Sequence, residues 1–250
     1  MGDGWGEYLA GFHEERAGIT EAVLSRSRHG GADPYRWLIQ AVPARGRVLD
    51  LACGSAPLWP YLAGRDYLGI DRAPGELAAA AARGAGPLVR ASATVLPVRS
   101  GSVAVVTCSM ALMLLTPLPA ALAEIARVLA PGGRLIATVP ANRPLRTADL
   151  PAVAGLLLAL GRRLTYPNDA PLRRLPELLG DAGLRLVGDE HRRFGYPLSG
   201  GDDADRFLAS LYLPGLPPAR LRPARAWLRT LARAPTTLPV PIRRCVAVRG

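Results

Sequence analysis

Val48-Leu49-Asp50-Leu51-Ala52-Cys53-Gly54-Ser55-Ala56-Pro57 is an apolar run that stops abruptly in a turn of small residues. A second run, Asp66-Tyr67-Leu68-Gly69-Ile70-Asp71, again ends on an acid. Strand, tight loop, short helix, strand and acid within about thirty residues mark a nucleotide-type pocket at the carboxyl ends of parallel strands.

Outward from this unit, strands and helices alternate. Pro74 opens a helix through the alanine run to Arg83, and Gly84 and Gly86 stop it. Pro87–Ala91 reads as a third strand. Val103–Cys108 is continuously apolar, as suits a strand covered on both faces. Leu118, Leu122, Ile125, Val128 and Leu129 recur at helical spacing after Pro117, and Pro131-Gly132-Gly133 ends that helix before a strand over Arg134–Val139. Short connections between alternating elements require crossovers, so the sheet is parallel and doubly wound.

The flanks are more irregular. Trp5, Tyr8, Phe12, Ile19 and Val23 predict amphipathic helices in residues 1–30, and Asp33-Pro34 is a helix start. Helices are predicted at 148–163, 171–182, 202–213 and 218–233, with a sixth strand at Leu184–Val187. The closing stretch Ile242–Val248 alternates as an edge strand would.

Composition narrows the classes. The chain has 250 residues, 49% of them hydrophobic, enough for a large core. No apolar run reaches the roughly 18 residues of a membrane span, and the acid-rich start does not read as a signal peptide. The three cysteines, Cys53, Cys108 and Cys245, are far apart, with neither metal nor disulfide spacing; a cytoplasmic location is expected. The formal charge is +11, and all 31 basic residues are arginine. Of Arg220, Arg222, Arg225, Arg229 and Arg233, several fall on one side of a helix, as a solvated face or an RNA-binding stripe.

A dinucleotide loop needs glycines at three positions occupied here by Ala52, Gly54 and Pro57, which argues against a pyrophosphate cradle. A P-loop needs a lysine, and there is none. What remains is a loop with one central glycine preceded by Asp50, suited to a ligand without phosphate whose ammonium group can use a carboxylate.

Four segments in order, Val48–Pro57, Leu68–Ala73, Arg90–Pro97 with Ser100–Met110, and Leu122–Pro140, resemble the class I S-adenosylmethionine-dependent methyltransferases, in particular their small-molecule group. The resemblance implies a Rossmann-like, mostly parallel seven-stranded α/β sheet with helical cap additions. It divides a single domain over 1–250 into N-terminal helices or lid (1–45), cofactor core (46–140), helical additions (141–182 and 197–238) and last strands (183–196 and 239–250).

Carried over residue by residue, Ala52, Cys53 and Gly54 line the methionine part of S-adenosylmethionine, with Asp50 close by. Asp71 accepts from the ribose hydroxyls, and Arg72, Ser92 and Ala93 lie at the adenine. Ser109 and Met110 line the junction with the acceptor. The family has three loop glycines; here Ala52 and Ala56 flank Gly54, and alanine fits such places where φ is negative. Ser92 stands for the usual adenine-site acid.

The implied reaction is an in-line transfer of a methyl group to the O, N or C of a small, partly hydrophobic acceptor. Alignment and water exclusion are then the protein's main contributions. His13 and His191 are candidate bases. Tyr8, Tyr166 and Tyr196 are candidate substrate contacts, with Trp5, Tyr8 and Phe12 also readable as helix packing. No metal is expected. RNA methylation and a non-catalytic cofactor-binding or partner protein are the rival readings.

Overall fold

The computed structural model describes residues 3–250. The predicted alternation forms one seven-stranded sheet in the order β3-β2-β1-β4-β5-β7-β6. β1 (Val48–Leu51), β2 (Tyr67–Asp71), β3 (Leu88–Arg90), β4 (Val103–Ser109) and β5 (Leu129–Pro140) run parallel. β6 (Leu184–Leu198) and β7 (Thr236–Arg249) form an antiparallel hairpin whose second strand pairs with β5.

The strand alternation divides the core between the two faces of the sheet. Leu49, Leu51, Val106, Cys108, Leu135 and Ala137 point to one face, where α6 (Leu118–Val128) and α9 (Leu175–Asp181) bury Leu122, Ile125 and Leu179. α1 (Asp3–Glu15) adds Leu9 and Phe12 to the same cluster. Val48, Val105, Ile136 and Ile242 point to the other face, beneath α3 (Pro34–Ile39) with Tyr35, Trp37 and Leu38. Asp33 caps α3, accepting from the Arg36 N–H at 2.8 Å, with Pro34 in the first turn as its sequence predicts.

The closing strand is not an edge strand. β7 lies between β5 and β6, and β6 is the edge. Its arginines mislead because each has a carboxylate beside it on β6: Arg243 meets Asp189 at 2.7 Å, and Arg244, stacked on Trp37, meets Glu190. Paired in this way, charge is tolerated in an interior strand. The β6–β7 pairing also runs past the end of β5, to Leu198 opposite Thr236.

This overhang supports a third cluster in which α7 (Leu150–Leu160), α10 (Gly201–Ala209) and α11 (Pro218–Leu231) bury Tyr196, Leu198 and Leu238. The helix predicted over 171–182 is two, α8 (Asp169–Arg173) and α9, divided at Arg174, because Pro176 has no N–H to continue the ladder. On α11, Arg225 and Arg229 are held by Asp205 at 3.1 and 2.6 Å. Among the described residues, no helix is long and apolar enough to cross a membrane.

Candidate active site

A cleft of 990 Å³ opens at the carboxyl ends of β1, β2, β3 and β4. Its floor is the loop after β1. The backbone is left-handed at Ala52 (φ 52°), Gly54 (φ 54°) and Ala56 (φ 56°), the places where the resembled family has glycine. The alanines therefore do not take the negative φ expected of them. They accept the strained conformation of a three-glycine loop. Met110, just past β4, is left-handed too (φ 55°), and its N–H donates to the Thr138 carbonyl at 2.8 Å.

Asp71 ends β2 with both carboxylate oxygens engaged: Gly54 N–H donates to Oδ2 and Ala73 N–H to Oδ1, each at 2.8 Å. The acid thus holds the loop to β2, and each oxygen keeps a lone pair for a ligand. Burial pushes its carboxyl up, and the Ala73 and Gly54 amides pull it back.

Asp50 is 1% exposed and accepts from Thr107 Oγ1 at 2.9 Å and Tyr67 Oη at 3.1 Å. Burial pushes it up to about 7 despite those two bonds. Burial likewise keeps the Cys53 thiol protonated, which removes it as a nucleophile.

Every residue assigned to the cofactor by resemblance lines this one cleft: Asp50, Ala52, Cys53, Gly54, Asp71, Arg72, Ser92, Ala93, Ser109 and Met110. Ser92 shares its hydroxyl with Thr94 at 2.8 Å. Of the histidines, His13 lines the cleft, whereas His191 is exposed on β6 opposite Arg243, far along the sheet from β1.

The three candidate tyrosines are not on the lining. The Tyr8 hydroxyl accepts from Leu213 N–H at 2.7 Å, Tyr166 packs edge-on to Tyr212, and Tyr196 is buried with its hydroxyl donating to the Asp203 carbonyl at 3.2 Å. Their aromatic surface serves packing.

The sequence did not single out Glu76, Thr20, Tyr35 or Tyr212, and it read Trp5 as packing; all five line the cleft. Glu76 sits in the first turn of α5 (Pro74–Ala82), where an acid ordinarily only complements the helix dipole. Here it is 4% exposed, accepts from Gly18 N–H at 3.0 Å, and lies 2.9 Å from His13 Nδ1. Tyr212 Oη is 3.3 Å from His13 Nε2. Contacts across 63 and 199 residues leave no local pattern to find.

Charge distinguishes the cleft from the rest of the molecule. In a chain of net charge +11, its lining carries Glu14, Glu21, Asp50, Asp71 and Glu76 against Arg72 and Arg90. Low-dielectric walls concentrate that field, which selects for a cation.

Residues 49–137 match the family described as "Methyltransferase domain". The demethylmenaquinone methyltransferase of Mycolicibacterium vanbaalenii is 41% identical over 165 residues, covering 62% of this chain and 70% of that protein. The chain belongs to the S-adenosylmethionine-dependent methyltransferases. Among solved structures, the YcgJ protein from a Bacillus is similar at 17% identity, over 86% of this chain and 97% of that one, with a TM-score of 0.57. The cyclase SpnF is similar at 18% identity, over 96% of this methyltransferase and 94% of its own chain, with a TM-score of 0.61. At such identities the likeness concerns the fold, and a fold that also carries a cyclase does not fix the chemistry.

Proposed function

We propose that the cleft holds S-adenosylmethionine over the 52–56 loop and methylates a small apolar ring compound of the quinol class. The observation that carries this reading is an acidic cleft, floored by three left-handed loop residues, in a strongly basic chain. The donor set fits the cofactor. Carboxylates suit a sulfonium and an ammonium, and Asp71 keeps lone pairs for ribose hydroxyls.

Ala52, Cys53 and Gly54 would hold the methionine end, with Asp50 beneath. Arg72, Ser92 and Ala93 would flank the adenine, and Ser109 and Met110 the junction with the acceptor. When bound, S-adenosylmethionine supplies an electrophilic methyl group. The chain's own residues align the acceptor and exclude water.

Beyond Met110 the lining is mostly apolar, with Ala111, Leu114 and Leu115 in one cluster with Trp5 and Leu9 of α1. This wall suits a flat hydrophobic ring, and the relative named demethylmenaquinone methyltransferase supports a quinol. The arginines on α11 give less support to RNA, since Arg225 and Arg229 are engaged with Asp205.

Titration calorimetry with S-adenosylmethionine tests the first half of the reading. Saturable binding is expected, weakened by about 1–3 kcal/mol in Asp71→Ala; unchanged affinity would remove Asp71 from the site. No heat up to millimolar cofactor would favour a non-catalytic partner protein. Mass spectrometry after incubation with a reduced demethylnaphthoquinone tests the acceptor, with a gain of one methyl group expected.

A further inference from the structure

The polar chain on the roof of the cleft does more than close it. We infer that Tyr212, His13 and Glu76 form a proton relay that takes the acceptor's proton during methyl transfer, with His13 Nε2 as the final holder. This rests on the methyltransferase reading above and extends it to the fate of the proton.

The geometry fixes the direction of the relay. An ionised carboxylate only accepts, so His13 Nδ1, 2.9 Å from Glu76 Oε1, carries a hydrogen and donates it. His13 Nε2 is then a free lone pair, and the Tyr212 hydroxyl at 3.3 Å donates to it. Glu76 is itself fixed by the Gly18 N–H on its second oxygen, so it cannot swing away. Carboxylate, imidazole and hydroxyl stand in the order in which a hydroxyl is made basic in acyl-transfer triads.

Tyr212 is 8% exposed and lines the cleft. Its ring packs on Phe12 at 4.6 Å and Tyr166 at 6.3 Å, which fixes the position of the hydroxyl oxygen. The charged and titratable groups facing His13 are Glu76 from α5, Tyr212 from beyond α10, and the Asp71 carboxylate at the end of β2.

The step balances without a further reactant. The acceptor's O–H bond breaks, and its electron pair passes into the ring so that the reactive ring carbon forms the new bond to the methyl group. Tyr212 takes the hydroxyl proton as its own passes to His13 Nε2. The proton then lost from the methylated carbon restores the O–H. The imidazole would then carry the positive charge that the methyl donor brings when bound, opposite Glu76. Tyr212 and His13 are thus catalytic residues, and Glu76 positions His13.

Nitrogen-15 NMR of the full chain labelled at histidine, with His13 assigned through His13→Gln, tests the geometry without any acceptor. The Nδ1–H tautomer is expected; the Nε2–H tautomer would overturn the relay. The second measurement is the pH dependence of kcat with a dithionite-reduced naphthoquinone that bears a short isoprenoid chain and no methyl on the reactive carbon. Tyr212→Phe and His13→Gln should lose about 100-fold or more in kcat.

In Glu76→Gln, which keeps the hydrogen bonds but not the charge, the acid limb of kcat should move to lower pH. An unmoved limb with weakened S-adenosylhomocysteine binding would make Glu76 a latch for the N-terminal helices and overturn the relay. A wild-type protein that shows the Nδ1–H tautomer yet leaves the quinol unmethylated would refute the quinol as acceptor while upholding the relay geometry.

Discussion

Replacing Ala52 with glycine should make the protein more stable, whereas the same change at Ala56 should not. Both alanines hold φ near +55°, where an L-residue costs roughly 1–2 kcal/mol. Glycine relieves that strain but loses about 0.5–1 kcal/mol more backbone freedom on folding. The balance at Ala52, which is only half-buried, is a gain of about 0.5–1 kcal/mol. Ala56 is 1% exposed and packs with Ala80 and Ala85, so its methyl contributes about 0.8 kcal/mol of burial, and the gain cancels.

For a chain of this size, 1 kcal/mol moves Tm by about 2–4 °C. Urea unfolding with an unchanged slope, together with calorimetric Tm, measures both variants. Ala52→Gly should raise Tm by about 1–4 °C, with Ala56→Gly within error of the parent. A destabilised Ala52→Gly would refute the claim that the loop carries backbone strain at that position.

Two further perturbations follow from buried charge. Burial raises the Asp50 carboxyl to about 7 in the folded chain, against about 4 when unfolded, so the native state binds more protons between those values and stability falls as pH rises through that window. Asp50→Asn does not titrate, so its stability relative to the parent should climb from pH 4.5 to 7 and then level off; parallel urea midpoints across that range would refute the shift. Arg193 donates to buried Asp149 at 2.6 Å on the β6 overhang and holds that carboxyl below its ordinary range. Arg193→Met leaves the acid with only the Arg146 N–H at 2.7 Å and should cost about 1.5–3 kcal/mol in urea unfolding; a loss under 1 kcal/mol would show the pair to be solvated.

The parallel half of the fold was legible because its signals are local. β1, its loop, β2 and α5 are decided by apolar runs, one proline start and two glycine stops. The hairpin was less so: interior β7 carries Arg243 and Arg244, and only the carboxylates of β6 explain how they sit there. In the site, the residues carried over by resemblance share one cleft because they end consecutive strands. Glu76 and Tyr212 reach it by tertiary packing alone. Tyr8 and Trp5 are three residues apart on one face of α1, with their rings in edge contact at 5.9 Å; tertiary packing, which composition cannot show, puts Trp5 on the cleft and the Tyr8 hydroxyl on Leu213.

The missing loop glycines are better explained by the acid beside them than by a loss of function. A loop that keeps left-handed backbone at two alanines must be held there, because each would relax to negative φ if free. Asp71 supplies part of the hold through the Gly54 N–H, and the Cys53 N–H adds a bond to the Ile70 carbonyl at 3.0 Å. Both restraints tie the loop to the end of β2, next to the position where Asp71 would meet a ribose. Cofactor binding and loop conformation are therefore coupled through one carboxylate. Asp71→Ala should weaken S-adenosylmethionine and also lower the stability of the ligand-free protein by about 1–3 kcal/mol. If affinity falls with no change in ligand-free stability, Asp71 is a ligand contact alone, and the alanine loop is held by something else.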